Sequence, residues 1–226
     1  MDPRSKYNPR DIQRDLKQNY GVTINYQKAW RSKEKALESI RGKASESYGM
    51  IPSFMYMLTL TNPGSIVEVK TSDDCAFQYA YMAINASIKR WAYCRPIIVV
   101  DETFLQASCK GTLLTAATED AGGKIFQLAY AIVDSENDSA WEWFFEQLKN
   151  SFGEREELCI ISDRHSSIEK AVSKIFSGAA HGICMYHLLN NLKSTFKKSE
   201  STIKDLFFGA AKAYTEKRFN YHIRQL

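Results

Sequence analysis

Three runs of apolar and β-branched residues follow one another in the middle of the chain, over 97–100, 112–117 and 126–133. Short polar stretches separate the runs, and Gly122-Gly123 in the second of these stretches is a hairpin signal. Runs of this length bounded by turn residues are typical of β-strands. The pattern therefore predicts three strands joined by hairpins.

Helical and strand-like periods alternate after the third run. Ser139 and Glu142 have the spacing of a capping box, which predicts the start of a helix. The apolar run over 158–161 predicts a fourth strand, and a second capping box, Ser166 with Glu169, predicts the helix after it. The remaining predicted elements are a short strand over 181–184 and helices over about 186–198, 202–213 and from about 215 onward.

The N-terminal part of the chain gives a mainly helical pattern. Asn8 as N-cap, Pro9 in the first turn and Gly21 as the stop predict a first helix, and a second is predicted over about 25–41. Residues 42–53 have the composition of a linker. The other predicted elements here are a strand-like run over about 51–68, broken by the Pro63-Gly64 turn, and a helix over 75–94.

The order of the predicted elements indicates the fold class. Three hairpin-joined strands followed by alternating helices and strands predict an α/β protein with an RNase H-like mixed sheet flanked by helices. We expect three segments: a basic, helix-turn-helix-like helical segment over 1–45, a connecting region with a helix over 46–95, and the RNase H-like domain over 96–226. Because the chain stops inside a predicted helix, this domain is expected to be C-terminally incomplete.

Two of the predicted strands end at a carboxylate. Asp101 follows Val100 directly, and Asp163 follows the run over 158–161 after one serine. The first and fourth strands lie side by side in an RNase H-like sheet, so the two carboxylates are expected to converge there. Such oxygen ligands suit Mg²⁺ or Mn²⁺, and a pair of these ions can activate water or a 3′-hydroxyl against a phosphodiester. The alternative is that each aspartate only caps a turn.

The net charge of +4 is unevenly distributed along the chain. Residues 1–50 and 185–226 each carry a net charge of +5, whereas residues 51–184 carry −6. Basic flanks around an acidic centre suit a protein that binds DNA and holds cations. Uneven solvated surface, or a packed helical hairpin over the first two helices, is the alternative. The candidate DNA-binding residues are Lys28, Arg31 and Lys35 on the second helix and Lys193 and Lys197 further along.

His181, Cys184 and His187 are spaced by three residues. A zinc site is not expected, because zinc takes four ligands, usually as two close pairs, and no second pair is present. Cys184 is instead expected to be buried, and His187 to orient the catalytic end or a DNA phosphate. The five cysteines form no CxxC pair, which favours a reducing compartment over a disulfide framework.

Neither a membrane-spanning helix nor a secretory signal peptide is expected. No apolar stretch approaches the roughly 20 residues that a membrane-spanning helix needs. The first 30 residues are polar and charged, unlike a signal peptide.

The segments "CRPIIVVDETFL", "IISDRHSSIEKAV" and "HGICMYHLLNNL" together resemble the plant-type transposase domain of Mutator-like elements, the MULE family. The resemblance implies a DDE transposase that cuts and rejoins DNA with two Mg²⁺ or Mn²⁺ ions. It implies that Asp101 and Asp163 are the first two catalytic acids. It also implies DNA as the partner, a homo-oligomer on transposon ends and a nuclear location.

Three departures from the family pattern bear on activity. Glu102 stands where the family usually has glycine. The third acid is expected on a helix beyond the Cys–His segment, where Glu216 is favoured over Glu200 and Asp205. The chain is also expected to be a fragment, because the zinc-binding domains that often flank the family domain are not found in this sequence. The second hypothesis is therefore a catalytically inactive, transposase-derived protein that binds DNA or regulates.

Overall fold

The computed structural model describes residues 7–42, 44–74, 76–105, 111–195 and 200–226. The chain divides into two compact units, of which the first ends at Phe54 and the second begins at Met55. Helices α1 to α4 lie at Pro9–Tyr20, Tyr26–Arg41, Ala44–Gly49 and Ile51–Thr61.

The first two helices begin and end where the sequence predicts. The Asn8 side chain accepts hydrogen bonds from the backbone N–H groups of Arg10 and Asp11, and the Asp11 carboxylate accepts one from the Asn8 N–H. Gly21 ends α1 with φ of 66°, a left-handed conformation that favours glycine. Asn25 caps α2 through a bond from the Lys28 N–H. Local capping chemistry thus fixes both helices.

Two predictions between these helices and the sheet are wrong. The linker predicted over 42–53 contains α3 and the start of α4, and the strand-like run from 51 is helical as far as Thr61. An apolar run of this length does not distinguish strand from helix, and Pro52 is compatible with a first helical turn. Only the part after the predicted turn forms a strand, β1 (Ile66–Thr71).

The helix predicted over 75–94 is also wrong in its first half. This segment forms strand β2 (Phe77–Ala83) and then the short helix α5 (Asn85–Trp91). Tyr79, Tyr81 and Ala83 are buried at a spacing of two and pair with strand β5 (Ile125–Val133). Sheet pairing therefore overrides the three- and four-residue recurrence of apolar residues in this stretch.

The sheet has seven described strands in the order β1-β2-β5-β4-β3-β6-β7. Strands β1 to β5 pair antiparallel, whereas β3-β6 and β6-β7 are parallel. The part β5-β4-β3-β6-β7 has the RNase H-like arrangement, which confirms the predicted fold class. The other strands are β3 (Ile97–Leu105), β4 (Gly111–Glu119), β5 (Ile125–Val133), β6 (Cys159–Ser162) and β7 (Ala180–Ile183).

The division of the chain differs from the predicted segments. Residues 66–83, expected in a connecting region, supply β1 and β2 and extend the sheet beyond β5. The two strands belong to the second unit together with the rest of the sheet.

Helices α6 (Asp138–Phe152) and α7 (Ser166–Ile175) form the main core with the sheet. Trp141, Phe144, Phe145 and Leu148 of α6 are fully buried, and Tyr81 donates a buried hydrogen bond to Ser151 Oγ at 2.9 Å. Both predicted capping residues are displaced. Asn137, not Ser139, caps α6, and His165, not Ser166, caps α7.

Three helices follow the sheet: α8 (Met185–Thr195), α9 (Glu200–Ala211) and α10 (Glu216–Ile223). Leu189, Ile203 and Phe207 form a second, smaller core. In the described parts of the chain, no helix is both long and apolar enough to cross a membrane.

Candidate active site at two parallel strands

The prediction that Asp101 ends its strand is wrong, because Asp101 lies within strand β3. Strand β3 continues through Asp101 to Leu105, and Asp101 pairs there with Thr115 of β4. The parallel pairing of β3 with β6 reaches Val99 and Ile161. Asp101 and Asp163 each follow two residues later, Asp101 inside β3 and Asp163 directly after the end of β6, so a continuation of this register would set them opposite each other.

The Asp101 side chain is 53% exposed and has His187 of α8 as a basic neighbour. His187 Nε2 lies 3.8 Å from Asp101 Oδ1. The other ring nitrogen, Nδ1, is buried and has no hydrogen-bond partner among the described residues. The structure thus brings His187 to the first predicted acid, as a residue that can orient it.

Asp163 is held by a local turn at the end of β6. Its Oδ1 accepts a hydrogen bond of 2.9 Å from the His165 N–H. His165 in turn caps α7, because its Nδ1 accepts a bond of 3.3 Å from the Ser167 N–H. The orientation of the Asp163 carboxylate is therefore set by the start of α7.

Glu102 adds a carboxylate on the opposite face of β3, the side that packs on the core. Its Oε2 is buried and has no hydrogen-bond partner among the described residues. Burial raises the pKa of the Glu102 carboxyl, and the charges of Glu136, Asp163 and Asp101 raise it further. Negative charge is therefore concentrated here without a compensating lysine or arginine in a described ion pair. Carboxylate oxygens are ligands that divalent cations prefer, and a concentration of negative charge attracts such ions.

Glu136 is a neighbour of the site that the sequence pattern did not predict. Its Oε1 accepts a hydrogen bond of 3.1 Å from Trp141 Nε1 and lies 3.5 Å from His165 Nδ1. Glu136 thus links the starts of α6 and α7 beside Asp163. Its position just before a predicted helix indicates little about its role. Only the fold brings Glu136 close to Glu102 and His165.

Neither Glu216 nor Asp205 forms a metal-holding group with Asp101 and Asp163. Glu216 is the exposed first residue of α10, and Asp205 is exposed on α9. Glu200 begins α9. Over the described ranges, no three His, Cys, Asp or Glu side chains form a group that could hold a metal ion. The roles of Asp101, Asp163 and Glu216 in metal binding therefore stay predictions.

The histidines and the cysteine of the predicted supporting segment point to different partners. His181 Nε2 lies 2.9 Å from Ser162 Oγ. The prediction that Cys184 is buried is wrong, because its side chain is only half-buried. The thiol is free, and the Cys184 backbone N–H donates to the Ser162 carbonyl oxygen at 2.6 Å. His187, as described above, faces Asp101. The segment ties β7 and α8 to the carboxyl end of β6.

The predicted DNA-binding residues fall in both units. Lys28, Arg31 and Lys35 are exposed on α2 of the first unit. Lys193 lies in the last turn of α8. Lys197 lies outside the described residues.

Comparison with known proteins supports the resemblance seen in the sequence. Residues 97–191 match the family model of the MULE transposase domain, which confirms the predicted resemblance. The chain is also similar to the transposase for insertion sequence element IS256 in transposon Tn4001 from Staphylococcus aureus, with 26% identity over 113 residues. The transposase of the same name from Enterococcus faecalis (strain ATCC 700802 / V583) has the same identity over the same length. The alignments cover 47% of this chain and 28% of each relative, so the chain spans under a third of their length.

A solved structure has a weaker likeness. It is the simian T-cell lymphotropic virus intasome in complex with PP2A regulatory subunit B56 gamma, with 11% sequence identity and a TM-score of 0.31. The match covers 56% of this chain and 46% of that chain. A TM-score this low supports no conclusion about the site.

Proposed function

We propose, on the premise that residues 97–191 form a MULE transposase domain, that this chain cleaves and transfers DNA strands as a DDE-type transposase dependent on Mg²⁺ or Mn²⁺. The observation that carries the proposal is the parallel pairing of β3 with β6, from which Asp101 and Asp163 each follow two residues after the last paired residues, Val99 and Ile161. In this proposal the two carboxylates hold the ions, and Glu216 is the third acid.

The residues around the pair have distinct parts in this proposal. Bound divalent ions would supply Lewis-acid activation of water or a 3′-hydroxyl and would stabilise the leaving oxygen of the phosphodiester. His187 restricts the Asp101 carboxylate, and the turn at His165 orients Asp163. Glu102 and Glu136 increase the negative potential that attracts a cation.

DNA binding is proposed for the basic helix α2 and for α8. Lys28, Arg31 and Lys35 are exposed on α2, where they can contact phosphates. We place this activity in the nucleus, with copies of the chain assembling on transposon ends.

A second function is favoured by one observation. Because no three His, Cys, Asp or Glu side chains of the described residues form a group that could hold a metal ion, a chain that binds DNA without cutting it fits the geometry as well. Such a protein would be a transposase-derived DNA-binding or regulatory protein. The two functions differ in their metal requirement.

The first experiment is Mn²⁺ titration by calorimetry on the purified chain and on an Asp101→Asn/Asp163→Asn double variant. Asp73→Asn/Asp74→Asn is the matched control, because it removes the same charge from an exposed turn between β1 and β2. We expect binding by the wild type and the control, and loss of binding in the Asp101/Asp163 variant.

Cleavage of labelled duplex DNA, tested with the same proteins, separates the two functions. Metal-dependent cleavage that the Asp101/Asp163 variant lacks would support the transposase. Equal Mn²⁺ binding by wild type and double variant would rule out the two-carboxylate site. DNA binding without cleavage would then leave the regulatory function.

A further inference from the structure

Strand β1 forms one edge of the sheet. Its only strand partner in the described structure is β2. No other described residue makes a hydrogen bond to the backbone of Ile66–Thr71. An edge of this kind presents unpaired N–H and C=O groups that can pair with another strand.

The two charged side chains of β1 lie on one face of the strand. Glu68 pairs with Tyr81 of β2, and Lys70 pairs with Tyr79. Lys70 Nζ lies 5.1 Å from the centre of the Tyr79 ring, and both charged residues are exposed. Val67 and Val69 alternate with them and face the other side.

The edge is also regular. The pairing irregularity between β1 and β2 falls where Lys70 pairs with Tyr79 and Thr71 with Phe77. The unpaired residue at this point is Gln78, which belongs to β2. Strand β1 itself therefore carries no bulge, which is one of the devices that prevent edge pairing.

A second copy can pair antiparallel with this edge about a two-fold axis, and the charges select one register. If Val69 faces Val69 of the partner copy, each Glu68 faces a Lys70, and each Val67 faces a Thr71. Moving the axis to Glu68 would set glutamate against glutamate, and moving it to Lys70 would set lysine against lysine. Placing the axis between two residues would pair the polar face of one strand with the apolar face of the other.

We propose that β1 is a self-association surface, on which a second copy of this chain pairs antiparallel about Val69 and extends the sheet across the two-fold axis. The interface is isologous, so each Glu68–Lys70 pair occurs twice. The proposal is independent of the catalytic proposal, because it requires neither DNA nor metal.

Charge exchange tests the surface and its register. We compare wild type, Glu68→Lys, Lys70→Glu and the double variant Glu68→Lys/Lys70→Glu by sedimentation velocity over a range of concentrations, without DNA or metal. Each single exchange sets like charges opposite each other at both pairs, so we expect its dimer dissociation constant to rise about tenfold. The double variant restores opposite charges and should return to within about threefold of wild type. An equimolar mixture of the two single variants should associate as wild type does.

The matched control is Lys89→Glu on α5, which makes the same charge change at an exposed position away from β1. Circular dichroism checks that each variant is folded. A wild type that stays monomeric at every concentration would overturn the proposal. Single variants that associate as tightly as wild type would also overturn it, since the chain would then dimerise through another surface.

Discussion

Asp101 and Glu102 are neighbours in the chain, but the pleat of β3 sends them to opposite faces of the sheet. Asp101 is 53% exposed, whereas Glu102 Oε2 is buried without a partner among the described residues. An ionised carboxylate in such a position costs free energy. The pair therefore combines an accessible acid with one whose charge destabilises the fold.

We predict that Glu102→Gln stabilises the protein at neutral pH. The folded-state pKa of Glu102 is raised above its ordinary value of 4.5, so the ionised form is disfavoured in the folded protein. The cost is absent below pH 4.5 and grows as the pH rises through the folded-state value. Urea unfolding at acidic and neutral pH should show that the gain from Glu102→Gln appears only at the higher pH.

The control for Glu102→Gln is Glu146→Gln, an exposed glutamate on α6. This change should alter the free energy of unfolding little at either pH. A Glu102→Gln variant no more stable than wild type at neutral pH would show that the carboxylate finds a partner in solution.

The two aspartates could be predicted from the sequence because each follows an apolar run, and strand order brings such runs together. The same reasoning placed Asp101 at a strand end, because the polar residues after it hide the continuation of β3. Glu136 could not be predicted, since its partners Trp141 and His165 meet it only when α6 and α7 pack side by side.

At the level of elements, the starts of α6 and α7 are joined by polar contacts. Asp138 accepts hydrogen bonds from Ser167 Oγ and, at 2.7 Å, from Lys170 Nζ. The Lys170 bond first, and then the Ser167 bond, hold the pKa of the Asp138 carboxyl below its usual range. These contacts align the two helices whose starts surround Asp163.

We predict that Asn137→Ala lowers the free energy of unfolding by about 1 kcal/mol, because the Asn137 side chain caps α6 through the Ala140 N–H. Ser139→Ala is the matched control, because Ser139 is the capping residue that the sequence pattern favoured. It should change stability by less than about 0.5 kcal/mol. A larger loss at Ser139 than at Asn137 in urea unfolding would contradict the capping seen in the structure.

Elements with strong local signals were predicted well, and those set by distant partners were not. Helices α1 and α2 carry their own caps, and β3 to β5 carry turn residues between alternating runs. Strand β2 has no such signal, because its pairing partner β5 lies some 50 residues further on. Its apolar residues fit both a helical and a strand period, and only the pairing decides between them.

At the scale of the whole molecule, the basic residues concentrate in the flanks and the acidic residues in the centre. We predict that Lys28→Gln/Arg31→Gln/Lys35→Gln weakens duplex DNA binding and lowers its salt dependence. Each lost phosphate contact removes about 0.9 from the slope of log K against log salt, so the slope should fall by roughly 2.7 if all three contact phosphates.

The control for this variant is a charge-matched change in the second unit, Lys89→Gln/Arg90→Gln/Lys124→Gln. Fluorescence anisotropy at several salt concentrations measures both slopes. Equal slopes for the two triple variants would show that α2 has no special part in DNA binding.

The region that matches the MULE family model starts at residue 97, but the first strand of the sheet starts at Ile66. A segment excised at the family boundary would lose β2, and with it Tyr79, Tyr81 and Ala83 of the core. It would also turn β5, a nine-residue interior strand, into an open edge. Long, apolar open edges promote aggregation. Insolubility of that shorter segment would therefore be a consequence of where it was cut, and expression from before β1 would avoid it.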